Sequence, residues 1–231
     1  MILMIGLPLT IGLFFTFRWL QLQLKFALLN PILLSIVTLI VILSQLSLPY
    51  AHYQTSTTIL TWLLEPAIVA LALPLYKEYL TVKDNLSSIG AVSVLAVCSS
   101  MTLSVLIAFG LNQSFMVQAS LATNSVTTPI ALSVTESIAG IPALAAVIVI
   151  LVGIFGAVFA LPYLSLIGVK RPEAQGLAMG AACHAIGTSR ALECHPTMGG
   201  YASLAMALSA IITAIIVPIL FPILQKLLGY L

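Results

Sequence analysis

From residue 85 to residue 135 the chain carries no charged side chain, a run of 51 residues, and that run decides what kind of solvent the chain folds in. An ordinary soluble domain has about a quarter of its residues charged. Here 6% are charged and 61% are hydrophobic, with a mean hydropathy of +1.19. A spanning helix takes about 20 apolar residues, so about six spans with their loops use up the chain and leave no soluble domain. The class expected is an all-α polytopic membrane protein. The net charge of +2, from eight basic and six acidic residues, argues against nucleic acid as a partner. Cys98, Cys183 and Cys194 sit in or beside apolar segments and do not form the even, spaced set of a disulfide framework; they read as packing residues. The first 17 residues lack a basic n-region and an A-x-A cleavage site, which makes them a retained span and not a signal peptide.

The charges delimit the segments. Residues 1–17 form a first span, closed by Arg18 with Lys25 behind it, and 26–48 a second, with Asn30-Pro31 suited to a first helical turn. A polar, lysine-free loop over 49–58 leads to a third span, 59–76, that carries Glu65-Pro66 and Pro74. After a loop with Lys77, Glu78, Lys83 and Asp84 comes a fourth span, 86–109. These define a scaffold-like region, 1–114. The remainder, 115–231, is expected to be a carrier unit: a segment over 115–138 broken at S-V-T-T-P, a span over 143–169, a segment over 174–195, and a last span over 200–225. Only sixteen uncharged residues separate Glu173 from Arg190, too few for a crossing, so this segment is expected to enter the membrane and turn back.

Basic residues in short loops favour the cytoplasm. Arg18 with Lys25, and Lys77 with Lys83, flank alternate loops, whereas 49–58 and 110–114 contain none. Lys170 and Arg171 keep to this alternation only if 115–138 does not cross. That segment then becomes a hairpin from outside and 174–195 a hairpin from inside, with tips that approach each other. Two hairpin-plus-span units of opposite orientation form an inverted repeat, echoed faintly in G-I-F-G-A-V-F-A-L-P ending at Pro162 and A-I-I-T-A-I-I-V-P ending at Pro218. Inverted repeats with broken helices near the midplane are a plan of secondary transporters, where half-helix N-termini hold an anionic group.

The residues at both breaks suit that chemistry. Thr128 is a good N-cap and Pro129 a favoured first helical residue, so the helix starting there aims free N–H groups at the tip. Gly187, Thr188 and Ser189 offer the same at the second break, and Arg190 adds a full positive charge that is costly in hydrocarbon unless paired or hydrated. Asn124, Ser125 and Thr127 complete the candidate substrate-binding set with His184. Gly176, Gly180 and His184 recur at i, i+4 and i+8, a smooth stripe that admits another backbone and sets an imidazole on the contact line. The glycines alone would be helix-packing positions and Pro129 alone a kink. His184 reads either as a packed, hydrogen-bonded core residue or as a proton-sensitive site residue. Glu65 and Glu136 lie near span edges and read as interfacial. The doublets Cys183-His184 and Cys194-His195 diverge by about 100° on a helix and give no metal-ligand spacing, so neither a metal nor a cofactor is expected. No paired nucleophile and base points to an enzyme.

S-V-T-T-P-I-A at 125–131, G-I-P-A-L-A-A-V at 140–147, G-I-F-G-A-V-F at 153–159 and G-L-A-M-G-A-A-C-H-A-I-G-T-S-R-A at 176–191 resemble the LrgB/CidB family, with a length closest to its YohK branch. L-L-N-P at 28–31 and P-A-I-V-A-L-A-L-P-L-Y at 66–76 extend the resemblance over nearly the whole chain. It implies a multi-pass protein of the bacterial inner membrane that pairs with a small LrgA/CidA-type membrane protein and forms homo-oligomers. It also implies one of two activities: carriage of small monocarboxylates or hydroxyacids, as in plastid relatives that carry glycolate and glycerate and bacterial ones linked to pyruvate, or a holin- or antiholin-like pore that modulates murein hydrolases and lysis. The family usually has lysine where this chain has Asn124, which shifts more of the charge balance to Arg190. The function expected is alternating-access transport of a short monocarboxylate.

Overall fold

The computed structural model describes residues 5–24, 29, 31–70, 76 and 86–229, and its secondary structure there is helical throughout. Lys25, Asn30 and the loop charges Lys77, Glu78, Lys83 and Asp84 lie outside the described residues, as does the side chain of Glu65. By contacts the chain forms two compact units, Met1–Pro74 and Leu75–Leu231.

In the first unit, α1 (Gly6–Leu24), α2 (Pro31–Gln45), α3 (Tyr50–Ser56) and α4 (Thr58–Ala70) follow one another with short connections. Helix α1 continues through Arg18, where a span end was expected. A charge ends an apolar stretch, but arginine is a good helix former and leaves the backbone ladder intact. Helix α2 begins at Pro31 as expected. The stretch 49–58, expected as a loop, is mostly helix: Pro49 is extended (φ −60°, ψ 136°) and α3 starts at the next residue. The Thr10 hydroxyl donates to the Gly6 carbonyl at 2.7 Å and lies 2.8 Å from the Tyr53 hydroxyl, which ties α1 to α3.

The second unit contains α5 (Leu86–Gly110), α6 (Phe115–Leu121), α7 (Thr128–Ser137), α8 (Pro142–Leu166), α9 (Pro172–Cys194) and α10 (Pro196–Leu227). Among the described residues α5, α8 and α10 are long and apolar enough to cross a membrane, and the chain is a membrane protein. Helix α5, which the charge pattern groups with the preceding spans, packs in this unit. Its buried stripe Ile89, Ser93, Val97, Met101 and Val105 advances by four residues, the spacing of one helix face. Helix α10 presents a matching stripe through Ala205, Ser209, Thr213, Val217 and Phe221. One apolar cluster joins Ile89 to Tyr201, Leu204 and Ala205, and another joins Val97, Met101 and Val105 to Val217 and Phe221, so the two helices run parallel.

Two further elements double back. After α6 the helical ladder stops, and residues 122–127 form turns before α7 begins. The Ser120 hydroxyl accepts from the Ile141 N–H at 2.8 Å, and the hydroxyls of Thr123 and Thr135 are 2.7 Å apart, so the α7 arm returns alongside the α6 arm. In α9 the break is a single residue, His184, with φ 41° and ψ −139°. A Cβ on Gly187 would lie 2.9 Å from the Met179 carbonyl oxygen, eight residues earlier, whereas eight residues of straight helix span about 12 Å. Residues 185–194 therefore return along 172–183. The first arm lies against α10 so closely that a Cβ on Gly176 or Gly180 would collide with the carbonyl oxygens of Met198 and Ala202. The i, i+4 glycine stripe is thus a backbone-to-backbone packing seam.

Candidate functional site

Both fold-backs meet α8 at one place, because both of their breaks touch Val149. On the α6–α7 side the Val149 side chain is buried with Val126 and Ala131, with Ile130 and Ala210 packed around them. On the α9 side, Nε2–H of His184 donates to the Val149 carbonyl at 2.8 Å. The imidazole reaches that carbonyl because the next turn of α8 has no side chain in its way: a Cβ on Gly153 would fall 2.5 Å from the His184 Cε1. One turn further, Gly156 leaves the space taken by Cys183. The α8 sequence G-I-F-G is a notch cut for the Cys183-His184 turn.

His184 occupies a left-handed backbone region that strongly favours glycine. A β-carbon there costs on the order of 1–3 kcal/mol, offset by the buried hydrogen bond and by the packing of the ring. A break of this kind exposes the terminal groups of both arms, the last carbonyls of 172–183 and the first N–H groups of 185–194. At the other tip, Thr127 is the extended N-cap (φ −64°, ψ 144°), one residue earlier than expected, with Thr128 and Pro129 in the first turn of α7. Its hydroxyl makes no capping bond, which leaves the oxygen available and the first N–H groups of α7 uncapped.

The sequence-predicted residues divide by position. His184 forms the second break itself, and Gly187 and Thr188 are buried in the turn that follows, with the Thr188 hydroxyl 3.8 Å from the Met206 sulfur. The break precedes Gly187-Thr188-Ser189, where the tip was expected, by three residues. Ser189 is exposed and bonds back to the Ala185 carbonyl at 3.0 Å. Arg190 stands six residues beyond His184, about 9 Å along the arm, 40% exposed and in an ion pair with Glu193 at 3.0 Å. Asn124 is held by α5: it accepts from Ser100 at 2.7 Å and donates to Ser104 at 2.5 Å. Ser125 is buried at the same tip. Val149 and Gly153 were not foreseen. Their signal was the G-x-x-G spacing within an apolar helix, which also reads as generic helix packing. His195 has a local structural task, as its Nδ1 accepts from the Thr197 N–H at 3.2 Å and caps α10.

The LrgB-like family matches residues 10–223. An uncharacterized protein of Haemophilus influenzae is 35% identical over 84% of this chain and 86% of its own length. The uncharacterized protein YwbG of Bacillus subtilis is 34% identical over 79% of this chain and 81% of its own, and an antiholin-like protein LrgB of Bacillus mycoides 32% identical over 81% of each. No solved structure matches. With a family match over most of its length and relatives of this identity and coverage, the chain belongs to the LrgB-like family.

Proposed function

We propose that this protein is a multi-pass carrier of the bacterial inner membrane that moves small monocarboxylates or hydroxyacids, and that the substrate carboxylate binds between the two helix breaks at Val149. The observation that carries this reading is the convergence of Val126 and His184 on one residue of α8. Helix α8 starts just after the base of the α6–α7 arms and ends just before the base of the α9 arms. If it crosses the bilayer, the two fold-backs are re-entrant hairpins from opposite faces, the two halves form an inverted repeat, and their tips meet at depth. The N-terminal ends of α7 and of residues 185–194 then direct partial positive charge and free N–H donors to one point, the arrangement that suits an anion in a low-dielectric site. Thr127, Thr128 and Thr188 supply hydroxyls beside them, and Arg190 supplies a countercharge from the same arm. Asn124 holds the first tip against α5. As a carrier the chain needs no cofactor and performs no covalent chemistry. An LrgA/CidA-type membrane protein is the partner we expect, together with further copies of the chain.

A second reading has support in the name of the Bacillus mycoides relative, antiholin-like: an oligomeric pore that modulates murein hydrolases and lysis. Uptake by proteoliposomes separates the two. A carrier saturates with labelled pyruvate, glycolate or glycerate and shows counterflow; a pore gives flux linear in concentration and releases unrelated small solutes. Linear, unselective release would overturn the carrier reading.

A further inference from the structure

Between the two apolar clusters that join α5 to α10 lies one layer of hydroxyl side chains. On α5 the residue between Ile89 and Val97 of the buried stripe is Ser93, and on α10 those between Ala205 and Val217 are Ser209 and Thr213. Since Ile89 clusters with Ala205, and Val97 with Val217, the parallel register sets Ser93 opposite the turn of α10 that runs from Ser209 to Thr213, so the three fall in a layer one helical turn, about 6 Å, thick. Their exposures are 0%, 1% and 2%, and the oxygen of each is buried with no hydrogen-bond partner. An unsatisfied buried hydroxyl costs about 1–3 kcal/mol, and three within one helical turn mark a site in need of a ligand.

The unwound segment 122–126 runs beside this layer. Ala122 shares the apolar cluster of Val97 and Val217, and Val126 shares that of Ala210. On α10, positions 210 and 217 bracket Thr213, and on α5, Val97 is one turn from Ser93. Neither a basic nor an acidic residue occurs between positions 85 and 135 or between 196 and 225, so α5, the unwound segment and α10 bring no charge to the layer. Each hydroxyl oxygen carries two lone pairs that a cation can share. Three hydroxyl oxygens beside an unwound backbone segment offer a set of oxygen ligands, and half-helix ends with unwound carbonyls are where membrane carriers coordinate Na+.

We propose that Ser93, Ser209 and Thr213, with carbonyl oxygens of residues 122–126, form a site for a dehydrated monovalent cation of the size of Na+. The site rests on the carrier reading only for its use, as a coupling ion that offsets the charge of a bound carboxylate; its existence does not depend on that reading. The test uses the full chain, purified without substrate, and follows thermal unfolding as NaCl replaces choline chloride at constant ionic strength, with KCl as a parallel series. A ligand that binds the folded state raises the unfolding temperature in a saturable way. The expected result is a saturable Na+ shift exceeding that of K+. Thr213→Val and Ser209→Ala should each weaken its apparent affinity by roughly tenfold or more, the scale for losing one contact to a charged group. Thr213→Ser, which keeps the hydroxyl, should retain it. Should Thr213→Val not fold, Ser93→Ala and Ser209→Ala give the same reading. Equal behaviour in Na+, K+ and choline would mean that water alone fills the layer and would overturn the site, as would a Na+ shift unchanged in the alanine variants. A Na+ shift lost in the variants without saturable acid uptake would keep the site and remove the carrier; saturable uptake without any Na+ effect would do the reverse.

Discussion

His184 and Gly153 act as one unit, since the ring fits only where α8 lacks a side chain. Gly153→Ala inserts a methyl group against the imidazole, an overpacking that costs about 1–3 kcal/mol, and it should lower the unfolding temperature measurably. In His184→Ala the nearest obstacle is gone and only the flexible end of Ile186, 3.0 Å from the new methyl group, remains, so adding Gly153→Ala to that background should cost much less than in the wild type. Equal costs in both backgrounds would separate the two residues. Arg190 tests the opposite case. Its pair with Glu193 is largely exposed, and such pairs contribute about 0–1 kcal/mol, so Arg190→Gln should leave stability nearly unchanged. If Arg190 provides the countercharge, transport falls in Arg190→Lys, which keeps the charge and loses the planar fork, and falls further in Arg190→Gln. Wild-type uptake in both variants would return Arg190 to a surface role.

At the level of helices, the uncharged runs made α5, α8 and α10 legible, and S-V-T-T-P marked the break before α7 because threonine and proline are start signals in any context. The break in α9 was foreseen from length alone, and its position was read from the wrong residues. Glycines usually mark a turn, yet Gly176 and Gly180 are spent on the contact with α10, while the turn falls on a histidine whose backbone conformation carries no sequence signature. The α8 notch escaped notice for a related reason: Gly153 matters only in relation to a ring thirty-one residues away in sequence. Arg18 was read as a boundary because charge reports the solvent around a helix and not the helix itself. The α9–α10 seam yields a prediction of its own. Gly180→Val sets a branched side chain against the Ala202 carbonyl, a rigid backbone atom that cannot rotate aside. It should destabilise the protein more than Gly90→Val on α5, where a Cβ meets nothing within 4 Å. Similar unfolding temperatures for the two variants would show that the seam opens easily.

For the molecule as a whole, the decisive property is which loops share a side of the membrane. If the α6–α7 arms enter and return, the connections before and after them face the same compartment, and Asn112 and Ala139, both exposed at turns with positive φ, are probes for those two connections. If the α9 arms do likewise, Gly168 and Cys194, also exposed, report from the opposite compartment. In a background with Cys98 and Cys183 replaced by alanine, four single-cysteine proteins should therefore divide in pairs: with Cys194 also replaced, Asn112→Cys and Ala139→Cys label from one side with an impermeant maleimide and Gly168→Cys from the other, and the protein that keeps only native Cys194 labels from the same side as Gly168→Cys. The basic residues Lys170 and Arg171 flank the second pair, which sets that side as cytoplasmic. Labelling of positions 112 and 139 from opposite sides would make 115–138 a crossing segment, move Lys170 and Arg171 outside, and remove the opposed geometry on which a shared site at Val149 depends. Labelling in pairs, with α8 the crossing helix between them, would leave the two tips only one place to meet, the depth of Val149 and Gly153.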